Sequence, residues 1–243
     1  MKLIQLNAWG GRIDSILRGF LKEETPDIFC GQEIISYPQG DSLLFLTAEE
    51  MTEAAGTKYS AFGATASIPY MQGNAEFGNI IASKVPINRS EVVFTNLEFV
   101  KDFNFEDYDY NIRNFVHAVI EVNSKKLNIL THHGHHVRDH KNGTEETDRQ
   151  MNTILEYIKQ LDGPVILTGD FNLQPESSSL QGLNSLLVNL SDKYKLKTTR
   201  NELTSKSEVC DYIFASNDIV VKDFYAHKKV VSDHQALVLE FEV

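Results

Sequence analysis

Pro164-Val165-Ile166-Leu167-Thr168-Gly169-Asp170-Phe171-Asn172 is the stretch on which the reading of this chain turns. A run of apolar and β-branched residues after a proline predicts a buried strand, and Gly169 predicts a sharp turn at its end. Asp170 and Asn172 stand at i and i+2, so an extended exit can present both to one side. A carboxylate there can handle a proton or a metal-bound water, and a carboxamide can donate to a developing oxyanion without changing charge. The same pattern also closes ordinary strands as an Asx turn. The rest of the chain has to choose between the two.

Working outward, Met151, Ile154, Leu155, Ile158 and Leu161 keep helical spacing and predict an amphipathic helix leading into that strand. At the N-terminus, Lys2 to Leu6 reads as a strand ending at Asn7, and Ile13, Ile16, Leu17, Phe20 and Leu21 mark a helix stopped at Thr25-Pro26. Asp27 to Glu33 is a second strand, so strand, helix and strand predict a parallel crossover pair. Both strands end in a polar residue at the same sheet edge, where sites of layered folds gather. A short helix is expected between Leu43 and Ala55, and strands at Glu76–Ser83, 91–101, 112–122 and 126–132. A helix near 180–187 and closing strands at Val209–Ala215, Ile219–Ala226 and Gln235–Phe241 complete the pattern. Neither a repeat nor a linker divides it, so residues 1–243 are expected to form one catalytic domain: an α/β sandwich of two packed, mainly antiparallel or mixed sheets flanked by helices.

Composition narrows the function. The chain carries 23 basic and 34 acidic side chains, a net charge of −11. That argues against wrapping a long duplex and leaves small or end-on phosphate substrates open. No basic run exceeds two residues (Lys125-Lys126 and Lys228-Lys229), which also disfavours a non-catalytic nucleic-acid binder. No apolar run approaches the length of a membrane-spanning helix. Met1 to Asn7 turns polar too early for a signal peptide, and Cys30 and Cys210 lie in apolar runs as buried thiols, so a reducing cytoplasm is the expected location.

The polar strand ends are Asn7, Glu33, His132, the Asp170/Asn172 pair and Ser232-Asp233-His234. In order, Leu-Asn-Ala-Trp, Gly-Gln-Glu, Thr-His, Gly-Asp-Phe-Asn, Asp-Tyr-Ile and Ser-Asp-His resemble the motifs of the endonuclease/exonuclease/phosphatase superfamily, whose type fold is that of deoxyribonuclease I. The resemblance runs from Asn7 to His234 and leaves the subfamily open. It implies a phosphoester hydrolase in which Asn7 and Glu33 help hold Mg²⁺ or Mn²⁺, with Asp233 near the metal. It implies that Asp170 orients or deprotonates the attacking water and that Asn172 bonds a phosphate oxygen. His234 would stabilise the pentacovalent phosphate or move a proton, oriented by Asp211. His132 would be a second active-site histidine with Glu76 as its carboxylate partner, and Arg113 would face the phosphate. A phosphodiesterase or nuclease acting on ends, single strands or small diesters is the reading, and no protein partner follows from it. The alternative is a phosphatase or phospholipase-type member acting on inositol phosphates or sphingomyelin.

Thr131 to His140 departs from that pattern with five histidines, at 132, 133, 135, 136 and 140. A dinuclear zinc hydrolase of the metallo-β-lactamase type needs His-x-His-x-Asp-His. Counting from His133 and His135, the Asp-His arrives two residues late, at Asp139-His140. His133, His135, His136 and His140 are therefore expected to form a solvated loop beside the site, with substrate contacts or a second metal as the alternatives.

Overall fold

Alternation along the strands decides the layers. The computed structural model describes every residue except 41, 43, 105 and 107–110. In chain order it contains β1 (Lys2–Asn7), α1 (Asp14–Glu24), β2 (Ile28–Ser36), α2 (Ala48–Ala55), β3 (Tyr59–Tyr70), β4 (Gly73–Ser83), β5 (Ile87–Asn96), β6 (Arg113–Val122) and β7 (Lys125–His133). There follow α3 (Glu145–Ile158), β8 (Val165–Asp170), α4 (Gln181–Leu186), β9 (Val188–Asn189), α5 (Leu190–Lys193), β10 (Asp211–Ala215), β11 (Val220–Ala226) and β12 (Leu237–Glu242).

Two six-stranded sheets result, ordered β11-β12-β1-β2-β4-β3 and β5-β6-β7-β8-β10-β9. β1 pairs with β2 and β7 with β8 in parallel, each through a helical crossover, and the other neighbours are antiparallel. Leu3, Ile28 and Ile81 of the first sheet meet Val116, Ile129 and Ile166 of the second. One residue along each strand, Ile4, Phe29 and Ile80 face Leu17, Phe20 and Met51 of α1 and α2. On the far side, Phe115, Leu130 and Leu167 pack on Met151 and Ile154 of α3. The order is helix, sheet, sheet, helix: the expected sandwich with the deoxyribonuclease I-like fold.

Three expectations shift. The helix between Leu43 and Ala55 occupies only Ala48–Ala55, started by a capping box between Thr47 and Glu50; Leu43 lies outside the described residues. The strand expected at 91–101 runs Ile87–Asn96, and Leu97, with a φ of 56°, leaves the extended region just after it. β3 escaped the sequence reading because it is rich in Gly, Ala and Ser and a bulge between Ala64 and Ala66 breaks its alternation. No described helix is long and apolar enough to cross a membrane.

Candidate active site

The polar residues meet where β1, β7 and β8 end and where β2 bulges; the strand expected to close at Glu33 runs on to Ser36, so Glu33 lies inside it. Gly169 lies inside β8, paired with Tyr212 and His132, and makes no turn. A Cβ there would run into the His132 carbonyl, so glycine is needed for the close approach of β7. The turn comes at Asn172, whose φ is 54°. Its N–H donates to Asp170 Oδ1 at 2.9 Å, so an Asx turn does form, and it holds one carboxylate oxygen still. The other, Oδ2, accepts from Asn7 Nδ2 at 3.1 Å. Asn172 Oδ1 accepts from the buried Lys141 Nζ at 2.6 Å, and its Nδ2 donates to Gly134 O at 3.3 Å.

Glu33 owes its aim to a bulge. The β2–β4 register shifts between Gly31 and Ile34, and Glu33 takes a φ of 52°. Gln32 before the bulge still faces the second sheet, bonding Thr131 Oγ1 at 2.7 Å. The extra residue turns the Glu33 carboxylate toward the cavity, where its Oε1 accepts from the same Asn7 Nδ2 at 3.0 Å. Two carboxylates thus converge on one amide group.

His234 is buried, with Nδ1 at 2.8 Å from Asp211 Oδ2 and Nε2 at 3.6 Å from Asp170 Oδ2. Asp211 is fully buried and further held by Thr199 Oγ1 at 2.6 Å and Gln5 Nε2 at 3.2 Å. Burial lowers the His234 pKa, but Asp211 and Asp170 outweigh it and the pKa is raised. Arg200 Nη1 donates to His234 Nε2 and lies 3.4 Å from Asp233 Oδ2. That contact requires a neutral ring, so protonating Nε2 requires the guanidinium to move. For Asp170, burial raises the pKa, but the His234, Arg200 and Lys141 charges drive it well below the usual carboxylate range. Asp233 lines the cavity without joining the Glu33–Asp170 pair.

The histidine segment is rearranged relative to expectation. His132 is fully buried on the opposite face of β7, its Nδ1 3.2 Å from the Asn114 carbonyl and its ring edge-on to Phe171. Burial pushes its pKa down to about 4. Glu76 stands in β4 opposite Ser36 and Ser67, away from His132 and outside the cavity wall. The ring in the site is His133, the last residue of β7, so for His133 the solvated-loop expectation is wrong. It is buried, with Nε2 3.8 Å from Asp170 Oδ2 and 3.9 Å from Glu33 Oε1. Those are not ion pairs, because burial and then the Arg113 guanidinium lower the pKa well below normal and keep the ring neutral. Nδ1, 3.5 Å from Arg113 Nη1, is then the acceptor, and Nε2–H faces the carboxylates. Arg113 is buried and lines the cavity, as does half-buried His136, while His140 is exposed and His135 is half-buried.

Among the described residues, Asp170, Cys210, Asp211 and His234 bring potential ligand atoms within 4.8 Å of one another. The two rear members suit a metal poorly. Asp211 is committed to His234, Thr199 and Gln5, and burial pushes the Cys210 thiol pKa well up, so it stays protonated. The opening lies in front, where Glu33 is 41% exposed and the Glu33 and Asp170 carboxylates meet on Asn7 beside the His133 ring. Carboxylate and amide oxygens there fit a hard divalent cation that keeps part of its water shell.

Sequence reasoning missed His133, Arg200 and Lys141 in this site. No local pattern signalled any of the three: β7 is buried on both faces, so its sequence does not say which of His132 and His133 faces the site.

A sequence model of the Endonuclease/Exonuclease/phosphatase family matches residues 4–234. No curated protein sequence matches. Solved structures share the fold across the whole chain. An endonuclease/exonuclease/phosphatase family protein from Leptotrichia buccalis C-1013-b is 18% identical with a TM-score of 0.71, covering 100% of both chains. The mannosyl-6-phosphatase Bt3783 of Bacteroides thetaiotaomicron is 17% identical at 0.71, again over 100% of both. D. rerio TDP2 complexed with single strand DNA product is 18% identical at 0.69, covering 100% of this chain and 99% of that one.

Proposed function

This chain belongs to the Endonuclease/Exonuclease/phosphatase family, and we propose that it is a Mg²⁺- or Mn²⁺-dependent phosphodiesterase acting on nucleic-acid ends, single strands or small diesters. The observation that carries this is the convergence of Asp170, Glu33, His133, Arg113 and His234 on a single cavity, with Asn7 bonding both carboxylates. Glu33, helped by Asn7, would hold the cation. When bound, it supplies Lewis-acid polarisation of a phosphate oxygen and offsets the charge of the leaving group.

The protein's own groups divide the remaining work. Asp170 has one oxygen fixed by the Asn172 N–H and the other facing the site, so it orients water for in-line attack. A carboxylate held so far down in pKa is a poor base toward free water, and it takes the proton only as the bond to phosphorus forms. Arg113 offers its guanidinium to non-bridging oxygens, and Arg200 reaches them by leaving His234. His234, backed by Asp211, then carries an Nε2 proton toward the phosphoryl group.

Substrate panels test this reading, with the protein in Mg²⁺ or Mn²⁺. Bis-p-nitrophenyl phosphate should turn over faster than its monoester, and a short single strand faster than a long duplex. A grip on one or two phosphates predicts only about a tenfold loss of affinity between 50 and 200 mM salt, against 10³–10⁵ for ~6–10 contacts. A net charge of −11 supports the shallow slope. Turnover of monoesters alone would replace this reading by a phosphatase, the alternative favoured by the walled cavity and by the likeness to a mannosyl-6-phosphatase.

Glu33→Gln is expected to raise the metal concentration for half-maximal rate by at least about tenfold, the lower end of the cost of perturbing a metal site. Metal titration of the rate reads it, and an unchanged half-point removes Glu33 from the metal.

A further inference from the structure

Beyond the phosphate end, the cavity has an apolar wing that the reaction does not use. It comes from strand register. Ile35 of β2 stands opposite Phe77 of β4, and Phe77 opposite Ala66 of β3, while Ile68 follows on the same face of β3. Bulges in β2 and β3 keep this row on the side of the first sheet that elsewhere packs on the second. Here the packing partner changes. Ile35, Ile68, Tyr70 and Phe77 cluster with Tyr37, Ala75 and Phe45, while Ile68 also touches the Ala66, Phe103 and Ile112 cluster that Phe94 of β5 joins. That cover is partial, and Ile68, Tyr70 and Phe77 are left half-buried against a cavity of about 690 Å³. Asp170, Arg113, His133 and His234 line the other end of that cavity.

We propose that this wing is a specificity subsite for a flat aromatic group carried on the phosphate ester, a reading that rests on the phosphoesterase function above. The volume suits a small ligand, for which pockets of ~300–1,000 Å³ are usual. A charged phosphate at the Arg113 end and an apolar ring at the Phe77 end match the two halves of the cavity. Aromatic edges frame the wing, with Tyr70 at 5.2 Å from Phe45 and 5.1 Å from Tyr37 between ring centroids. A sugar gains less from it. The Tyr70 hydroxyl is already 3.1 Å from Ser42 Oγ and Thr65 Oγ1 donates to the Phe77 carbonyl, which leaves each only part of its bonding capacity for a sugar hydroxyl.

Calorimetric titration of the full chain in Mg²⁺ with methyl-, hexyl- and phenylphosphonate tests it without any turnover. Phenylphosphonate should bind roughly 30-fold tighter than methylphosphonate, the scale of removing a ring's apolar surface from water. It should also beat hexylphosphonate, whose chain loses more rotational freedom on binding. Phe77→Ser and Ile68→Ser should each cut the phenyl-to-methyl ratio to about 3-fold or less by removing that surface. Ile68→Ser removes the smaller side chain of the two and carries the test if Phe77→Ser does not fold. A ratio near one in the unaltered protein, a ratio unchanged in both variants, or hexylphosphonate binding as well as phenylphosphonate overturns the subsite. Binding of all three without preference removes only this inference. Binding of none removes the phosphate site, and the proposed function with it.

Discussion

Asp170→Asn is expected to lower kcat on the best substrate by on the order of 10²–10⁴, the usual scale for losing a positioned general base. The substitution keeps shape and volume, and its carbonyl oxygen can still accept the Asn172 N–H that closes the turn. It loses the negative charge that His234, Arg200 and Lys141 hold in its ionised form. Its NH₂ group would also face Asn7 Nδ2, setting donor against donor. Single-turnover rates in saturating Mg²⁺ separate this from a metal-binding defect. A rate within about threefold of the unaltered protein, far under the scale of base catalysis, would reduce Gly-Asp-Phe-Asn to a turn.

Asp211→Asn is expected to cost a further large factor, about 10²–10³ in kcat/KM, because it acts on the proton that His234 carries. The side chain is fully buried and cannot reach substrate, so its effect runs through the imidazole. With Asp211 ionised, the His234 pKa is raised, and the charged ring persists to higher pH. Removing that carboxylate takes away the largest raising charge and its hydrogen bond, leaving Asp170 alone against burial and the Arg200 charge, so the pKa falls. If the protonated ring is the active form, the alkaline limb of the kcat/KM profile moves to lower pH in the variant. A uniform loss with no movement of that limb would mean that Asp211 serves only as a structural anchor for Thr199 and Gln5.

What the sequence determined by itself was set by local period and local chemistry. The run before Asp170, the helical spacing from Ile13 to Leu21 and the strand-helix-strand order at the N-terminus were enough for the layered fold. They were also enough to bring Asn7, Glu33, Asp170 and His234 to one edge. Their order along the chain carried the family resemblance, because parallel crossovers deliver successive strand ends to the same side.

Only the tertiary structure decided which atoms meet. β7 is buried on both faces, with Ile129 in the inter-sheet core and Leu130 against α3, so no alternation in the sequence says which way His132 and His133 point. The pairing of His133 with Asp170 settles it, and the expected role of His132 loses its geometry. Glu33 is aimed by a bulge, a property of β2 and β4 together rather than of either strand. Arg200 has no local pattern at all. It reaches His234 through a lone β-bridge across an irregular segment. A net charge of −11 likewise hid the cations Lys141 and Arg200 acting on Asp170, and Arg113 beside His133. Period is written over a few residues, whereas the contact of Asn7 with Asp170 closes a loop of 163 positions. Such contacts exist only once both cores have packed, and that packing selects the side chains that face the cavity.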